Sequence, residues 1–294
     1  MEHVGVVGFG LMGAGIAEIA ARAGCTVTVV ERNAVARSDG LLRVDSSLSR
    51  AESRGRLTEP AGAVLERLSC ASDIGALSAC DVVIEAIVED YDAKVAVFRQ
   101  LDSVVANTDA VLASNTSSIP IIRLGVVTNR PENVVGVHFF NPVPVLELVE
   151  LVPSLLTSTS TQERARSLLE STLGKTVIVS QDRAGFIVNA LLVPFMLSAI
   201  RMLESGFATA QDIDRGFVLG AAHPQGPLAL ADLVGLDTIR AVAQSLYEEF
   251  KDPNYAAPPL LTRMVEAGLL GRKSGRGFFT YGSVGADTAR VVAR

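Results

Sequence analysis

A chain of 294 residues can hold more than one domain and bury a sizeable core, and 49% hydrophobic with 20% charged residues excludes a disordered polymer. The net charge of -6 excludes a broad electrostatic footprint for nucleic acid or for an anionic membrane surface. The first residues run straight into an apolar strand, with no basic segment ahead of a hydrophobic stretch and a small-residue cleavage site, so a cytoplasmic protein is expected.

Taken in chain order, short β-branched runs alternate with longer helix-like segments over the first two thirds, the pattern of βαβ units and a parallel sheet. Strands are predicted at 4–8, 27–31, 81–87, 110–114, 133–139, 145–152 and 175–180. After the second run comes a long helical insertion broken near LTEP, which reads as a helical hairpin. Its first helix carries Arg43, Arg50 and Arg54 on one stripe, either a solvated face or a site for a polyanionic ligand.

Beyond the connector QDRAG the texture turns helical, with no further strand run until the terminal GFFTY. A boundary is therefore expected between residues 183 and 184, dividing a domain at 1–183 from a second at 184–294. The most apolar stretch, 185–200, is interrupted by Asn189 and Pro194 and is shorter than a membrane span of about 20 residues, so it reads as a buried helix. Cys25, Cys70 and Cys80 sit among apolar residues without metal-ligand spacing, as reduced core thiols do, and no metal is expected. The fold class that follows is α/β: an N-terminal Rossmann-type, doubly wound, mostly parallel sheet with a hairpin insertion, then a C-terminal all-α domain.

Gly8, Gly10 and Gly13 form G-x-G-x-x-G between a strand and an apolar-periodic helix, with Leu11 and Met12 enclosed. The first glycine permits the tight turn, the second the approach of a pyrophosphate, and the third close packing of helix on strand. Glu31 ends the second strand, where a carboxylate accepts hydrogen bonds from the adenosine ribose and repels a 2′-phosphate. NAD is therefore expected over NADP, with Arg32 beside Glu31 as a contrary charge.

Of three histidines, His3 opens the first strand, His223 lies in the loop AAHPQGP, and His138 ends a strand in GVHFFNPVPV. The C-terminal ends of parallel strands are where such sheets build their sites, so His138 is the catalytic candidate, with a packed core histidine as the alternative. The following run carries Glu147 on one face and Glu150 on the other, each among apolar neighbours and in need of a partner. Periodicity does not choose between them.

The segments GFGLMGAGIA, AIVEDYDAK, SNTSSIP, HFFNPVPVLELVE, GFIVNALLVP, GPLALADLVGLDT and GRKSGRGFFTY together resemble the 3-hydroxyacyl-CoA dehydrogenase family, and most of all its stand-alone bacterial 3-hydroxybutyryl-CoA dehydrogenases. The resemblance implies His138 as acid/base with Glu150 as its partner, Ser117 and Asn189 on the substrate oxygens, and Glu89, Lys94, Asn115 and Asn141 at the cofactor. It gives the hairpin residues Arg50 and Arg54 an acyl-CoA substrate to hold, and implies a homodimer through the C-terminal domain. Ser117 has a helix N-cap as its alternative, and Glu89 with Lys94 an ordinary surface pair. Many relatives have a basic residue after the asparagine where this chain has Ala190.

Three other readings remain in view: the same chemistry on a sugar acid, the same chemistry on a carrier-protein-bound 3-hydroxyacyl group, and a crystallin-like NAD-binding protein without catalysis. A 6-phosphogluconate-type dehydrogenase would need a lysine on the helix after the first domain, and residues 184–200 contain none.

Overall fold

The computed structural model describes residues 2–282. Residues 283–294, the end of the expected second domain, lie outside the described residues. The chain divides after Asp182 into two units.

The first unit runs β1 (His3–Val7), α1 (Leu11–Arg22), β2 (Thr26–Val30), α2 (Ala34–Ser53), α3 (Ala61–Leu65), β3 (Leu68–Ala71), β4 (Val82–Glu85), α4 (Tyr91–Val104), β5 (Val111–Ser114), α5 (Ile121–Gly125), β6 (Val134–Phe139), β7 (Leu148–Pro153), α6 (Thr159–Ser167) and β8 (Thr176–Val179). The strands form one sheet in the order β3-β2-β1-β4-β5-β6-β7-β8. The first six run parallel, β7 returns antiparallel to β6, and β8 follows β7. β4, β5 and β6 are buried along their whole length, which is why they read as unbroken apolar runs. Val4, Val6, Ile16, Ala17, Val27, Val29 and Val135 share the main core, and each fully buried valine or isoleucine side chain contributes about 1.5–3 kcal/mol.

The predicted hairpin insertion is present, but its second arm is only the short α3, and the chain then adds β3 at the sheet edge. That strand escaped prediction because LSCA is short, half-buried and without alternation. The run at 145–152 becomes a strand only from Leu148, since Val145 and Leu146 donate their backbone N–H groups to Pro142 O in a turn.

The second unit packs α7 (Val188–Glu204), α8 (Ala210–Gly220), α9 (Pro227–Val234), α10 (Leu236–Phe250) and α11 (Pro259–Glu266) around a core of Val193, Leu197, Ile200, Leu228, Ile239, Leu246 and Leu261. Gly185 and Phe186 precede α7 with positive φ, so the helix starts later than residue 184. In place of the expected strand, Thr280 of the terminal GFFTY makes an isolated bridge to Arg276, which also bridges Gly271.

Candidate active site

The glycine turn lies between β1 and α1. Gly8 has φ +96°, and a Cβ there would stand 2.7 Å from Ala86 O; a Cβ on Gly13 would collide with Gly8 O. Gly10 opens α1 without a side-chain cap, and no acid occupies the first turn. Among the described residues, the first N–H groups and the positive end of the helix are thus left without a side-chain cap or a first-turn acid, as a phosphate requires.

Glu31 stands just past the end of β2, where its two carboxylate oxygens accept from Phe9 N at 3.3 Å and Asn33 N at 3.1 Å. The Arg37 guanidinium is engaged on the backbone, donating to Glu31 O at 2.6 Å and Arg32 O at 3.0 Å, while Arg32 reaches Gln100. Beside Glu31 lies a largely apolar cavity of about 220 Å³ formed by Gly8, Val30, Ile74, Ile87, Ala93 and Val97. Bare helix end, acid and apolar slot together fit a dinucleotide.

Next along the sheet, a buried ion cluster organises the serine loop. Lys94, 1% exposed, donates to Glu85 Oε1 at 2.6 Å and meets Glu89 Oε2 at 3.3 Å. Glu85 also accepts from Ser114 Oγ at 2.6 Å and from Ile87 N at 2.8 Å. Glu89 Oε1 accepts from Thr116 Oγ1 at 2.5 Å, from the backbone N–H groups of Ser117 and Ser118, and from Ser118 Oγ at 2.9 Å. Burial pushes the Glu89 carboxyl up, but Lys94 and these donors outweigh it and hold it below the ordinary glutamate value. Buried Lys94 is thus not half of an ordinary surface pair: it holds Glu89, and Glu89 fixes residues 116–118.

His138 and Glu150 are register partners across the antiparallel β6–β7 pair, so their side chains share one face. His138 Nδ1 lies 2.7 Å from Glu150 Oε2, and Nδ1–H donates, since a carboxylate accepts only. Glu150 is fully buried, and the Phe140 ring meets the imidazole edge-on at 4.6 Å. Asn115 Oδ1 accepts from Phe139 N at 2.9 Å, tying the end of β5 to the residue after His138. Glu147, by contrast, lies ahead of β7 and is exposed. His3 bonds Thr28 Oγ1 and His223 bonds Gln225 O, as structural histidines do.

A cavity of about 420 Å³ lies between Gly15 and Glu18 of α1, Arg43 and Arg50 of α2, and the loop from Asn141 to Pro144. Glu18 is buried in its wall, and burial raises its carboxyl against the opposing pull of Ser47, Arg22 and Arg50. Arg54 caps α2 in an exposed position outside the lining of this cavity. Asn189 belongs to the second unit, half-buried in the first turn of α7. Among the described residues no cluster of histidine, cysteine or acidic side chains could hold a metal ion.

Family models match both units: the NAD binding domain of 3-hydroxyacyl-CoA dehydrogenase over residues 3–183, and its C-terminal domain over residues 185–281. The chain belongs to the 3-hydroxyacyl-CoA dehydrogenase family. It is 54% identical over 282 residues to a 3-hydroxybutyryl-CoA dehydrogenase of Mycobacterium tuberculosis, covering 96% of this chain and 99% of that one. A second protein of that name, from Bradyrhizobium diazoefficiens, is 43% identical and is covered to 96%, as is this chain. The crystal structure of FadB2 from M. tuberculosis superposes with a TM-score of 0.94 over 96% of this chain and 99% of that one, at 54% identity. That of the (S)-3-hydroxybutyryl-CoA dehydrogenase from Ralstonia eutropha gives 0.90 over 96% and 100%, at 44% identity.

Within this 3-hydroxyacyl-CoA dehydrogenase framework, Glu85 is the participant that sequence reading passed over. The signal was there: an acid within the apolar run VVIEAI, which in a strand buried on both faces requires a buried cation such as Lys94.

Proposed function

We propose that the protein interconverts short-chain 3-hydroxyacyl-CoA and 3-ketoacyl-CoA, with 3-hydroxybutyryl-CoA as the representative substrate. The observation that carries this reading is the buried His138–Glu150 pair, 2.7 Å apart, at the sheet end of a domain shaped for a dinucleotide. NAD, when bound, supplies the hydride acceptor. His138 takes the proton of the 3-hydroxyl as C3 is oxidised, and returns it in the reductive direction, using Nε2 because Nδ1 is committed to Glu150. Glu150 keeps that tautomer and stabilises the imidazolium, and a general base of this kind contributes about 10²- to 10⁴-fold.

In the same reading Ser117 and Asn189 hold the substrate oxygens, and Gly8, Gly10, Leu11, Met12, Gly13 and Glu31 hold the dinucleotide with Asn115 and Asn141. Glu89, with 32% of its side chain exposed, is open to the cofactor, whereas buried Lys94 acts on it through Glu89. Arg50 faces the 420 Å³ cavity and Arg54 flanks the helix end, both suited to the phosphates of CoA.

The test is the turnover of three variants. His138→Ala lowers kcat by at least about 100-fold while NADH still binds. Glu150→Gln lowers kcat, because the carboxylate that orients the imidazole and stabilises the imidazolium is gone. Glu147→Gln leaves kcat near the wild-type value. A loss of kcat in the Glu147 variant without one in the Glu150 variant contradicts the pairing.

The enzyme is a homodimer through its second unit in this reading, supported by the apolar side chains that unit leaves uncovered: Phe207 is 80% exposed, Leu191 73% and Leu219 71%. Light scattering at micromolar concentration gives twice the chain mass, and Leu219→Glu shifts it toward one; a monomeric wild type contradicts the proposal. Its free cysteines suit a cytoplasmic setting, and among the described residues no helix is long and apolar enough to cross a membrane.

A further inference from the structure

Lys175 stands immediately before β8, away from the family's expected site residues. Its strand is locked to β7 by the pairing of Thr176 with Leu148 and by Thr176 N donating to Glu147 O at 2.9 Å. That places the lysine beside the turn joining β6 to β7, the turn whose two flanking strands carry His138 and Glu150. The ammonium donates to Val143 O at 2.6 Å and to Leu146 O at 2.7 Å. It approaches from a separate cavity, lined also by Arg22, Pro144 and Glu147.

The other side of the same turn is the wall of the 420 Å³ cavity, where Asn141, Pro142, Val143 and Pro144 face Arg43 and Arg50. Val143 is packed so closely on α1 that a Cβ on Gly15 would stand 2.8 Å from it. The turn is therefore held between α1 and the lysine, with the Val143 side chain against α1 and the Val143 and Leu146 carbonyls drawn to the ammonium. Burial and the neighbouring Arg22 both disfavour the charged amine, against Glu147. A side chain wanted only for packing would be apolar there; an ammonium adds directed donors for two carbonyls.

We infer that Lys175 is a positioning residue for the acyl-CoA substrate, acting through the 141–146 turn to set the wall of the 420 Å³ cavity that faces Arg43 and Arg50. This rests on the reading of the site as a 3-hydroxyacyl-CoA dehydrogenase centre. The two hydrogen bonds that the lysine donates both go to the 141–146 turn, so its loss falls on substrate binding.

The experiment measures kcat and KM for acetoacetyl-CoA, and NADH affinity by fluorescence, in wild type, Lys175→Met and Lys175→Arg. Losing two charge-assisted hydrogen bonds raises KM in Lys175→Met by about tenfold or more, with kcat changed by less than about threefold and NADH affinity retained. Lys175→Arg, which keeps the charge but cannot place one nitrogen on both carbonyls, gives an intermediate KM. Amide hydrogen exchange accelerates across residues 143–147 in the methionine variant and not across 134–139. Wild-type KM in Lys175→Met overturns the assignment, and so does a loss of NADH affinity equal to the loss for acetoacetyl-CoA. If the methionine variant does not fold, Lys175→Arg decides: a raised KM with intact NADH binding supports the assignment, an unchanged KM overturns it. Absence of wild-type turnover of acetoacetyl-CoA overturns the reading of the site, and this assignment with it.

Discussion

Glu89 Oε1 gathers donors from three consecutive residues, Thr116, Ser117 and Ser118, while Oε2 meets Lys94. Because the folded carboxyl titrates below its unfolded value of about 4.3, its contribution to stability is fully present above that value and is lost as pH falls through the lower folded one. Comparing thermal midpoints of wild type and Glu89→Gln, the difference is constant above about pH 5.5 and shrinks below about pH 4.3. A difference that grows on acidification contradicts the arrangement. At this scale the sequence was partly legible. His138 stood out because it ends a strand, but its partner did not, since alternation puts Glu147 and Glu150 on opposite faces without saying which face the histidine shares. Register decides that, and register is a property of two strands and the turn between them. The same applies to Lys94, which resembles a surface lysine until the fold buries it against Glu85.

Among the elements, the last described segment shows where periodicity fails. GFFTY has the texture of a strand, but a strand needs a neighbour's ladder and its surroundings supply only isolated bridges. Asp232 of α9 holds it instead: Oδ1 accepts from Phe278 N at 3.0 Å, and Oδ2 from Phe279 N and Tyr281 Oη, each at 2.9 Å. Burial raises the Asp232 carboxyl despite these donors, and Asp214 adds to the rise. Asp232→Asn retains one acceptor oxygen and turns an amide group toward donors, so it leaves a buried N–H unmatched and costs about 1–3 kcal/mol in the unfolding free energy of the second unit. Denaturant unfolding measures this, and an unchanged midpoint contradicts it. β3 escaped notice for the opposite reason, since its pairing with β2 supplies what its four residues lack in pattern.

Across the whole molecule, alternation of β-branched runs and helices made the parallel sheet and the helical second part legible, because strands buried on both faces leave a continuous apolar signature. The site was less legible, since it draws on the ends of β1, β2, β4, β5, β6 and β7, and chain order says nothing of their adjacency. In the helical unit, the exposed apolar side chains bear on the proposed association. What the account claims of the whole is one reaction with one cofactor. The direct measurement is NADH oxidation on a panel of acetoacetyl-CoA, longer 3-ketoacyl-CoAs and the same acetoacetyl group on a carrier protein, with NADPH as the alternative reductant and NAD-linked oxidation of sugar acids alongside. The account predicts the highest kcat/KM with acetoacetyl-CoA and NADH, and a large loss with NADPH from the Glu31 carboxylate meeting a 2′-phosphate. Faster turnover of a sugar acid or of the carrier-bound substrate, or equal efficiency with NADPH, would contradict it.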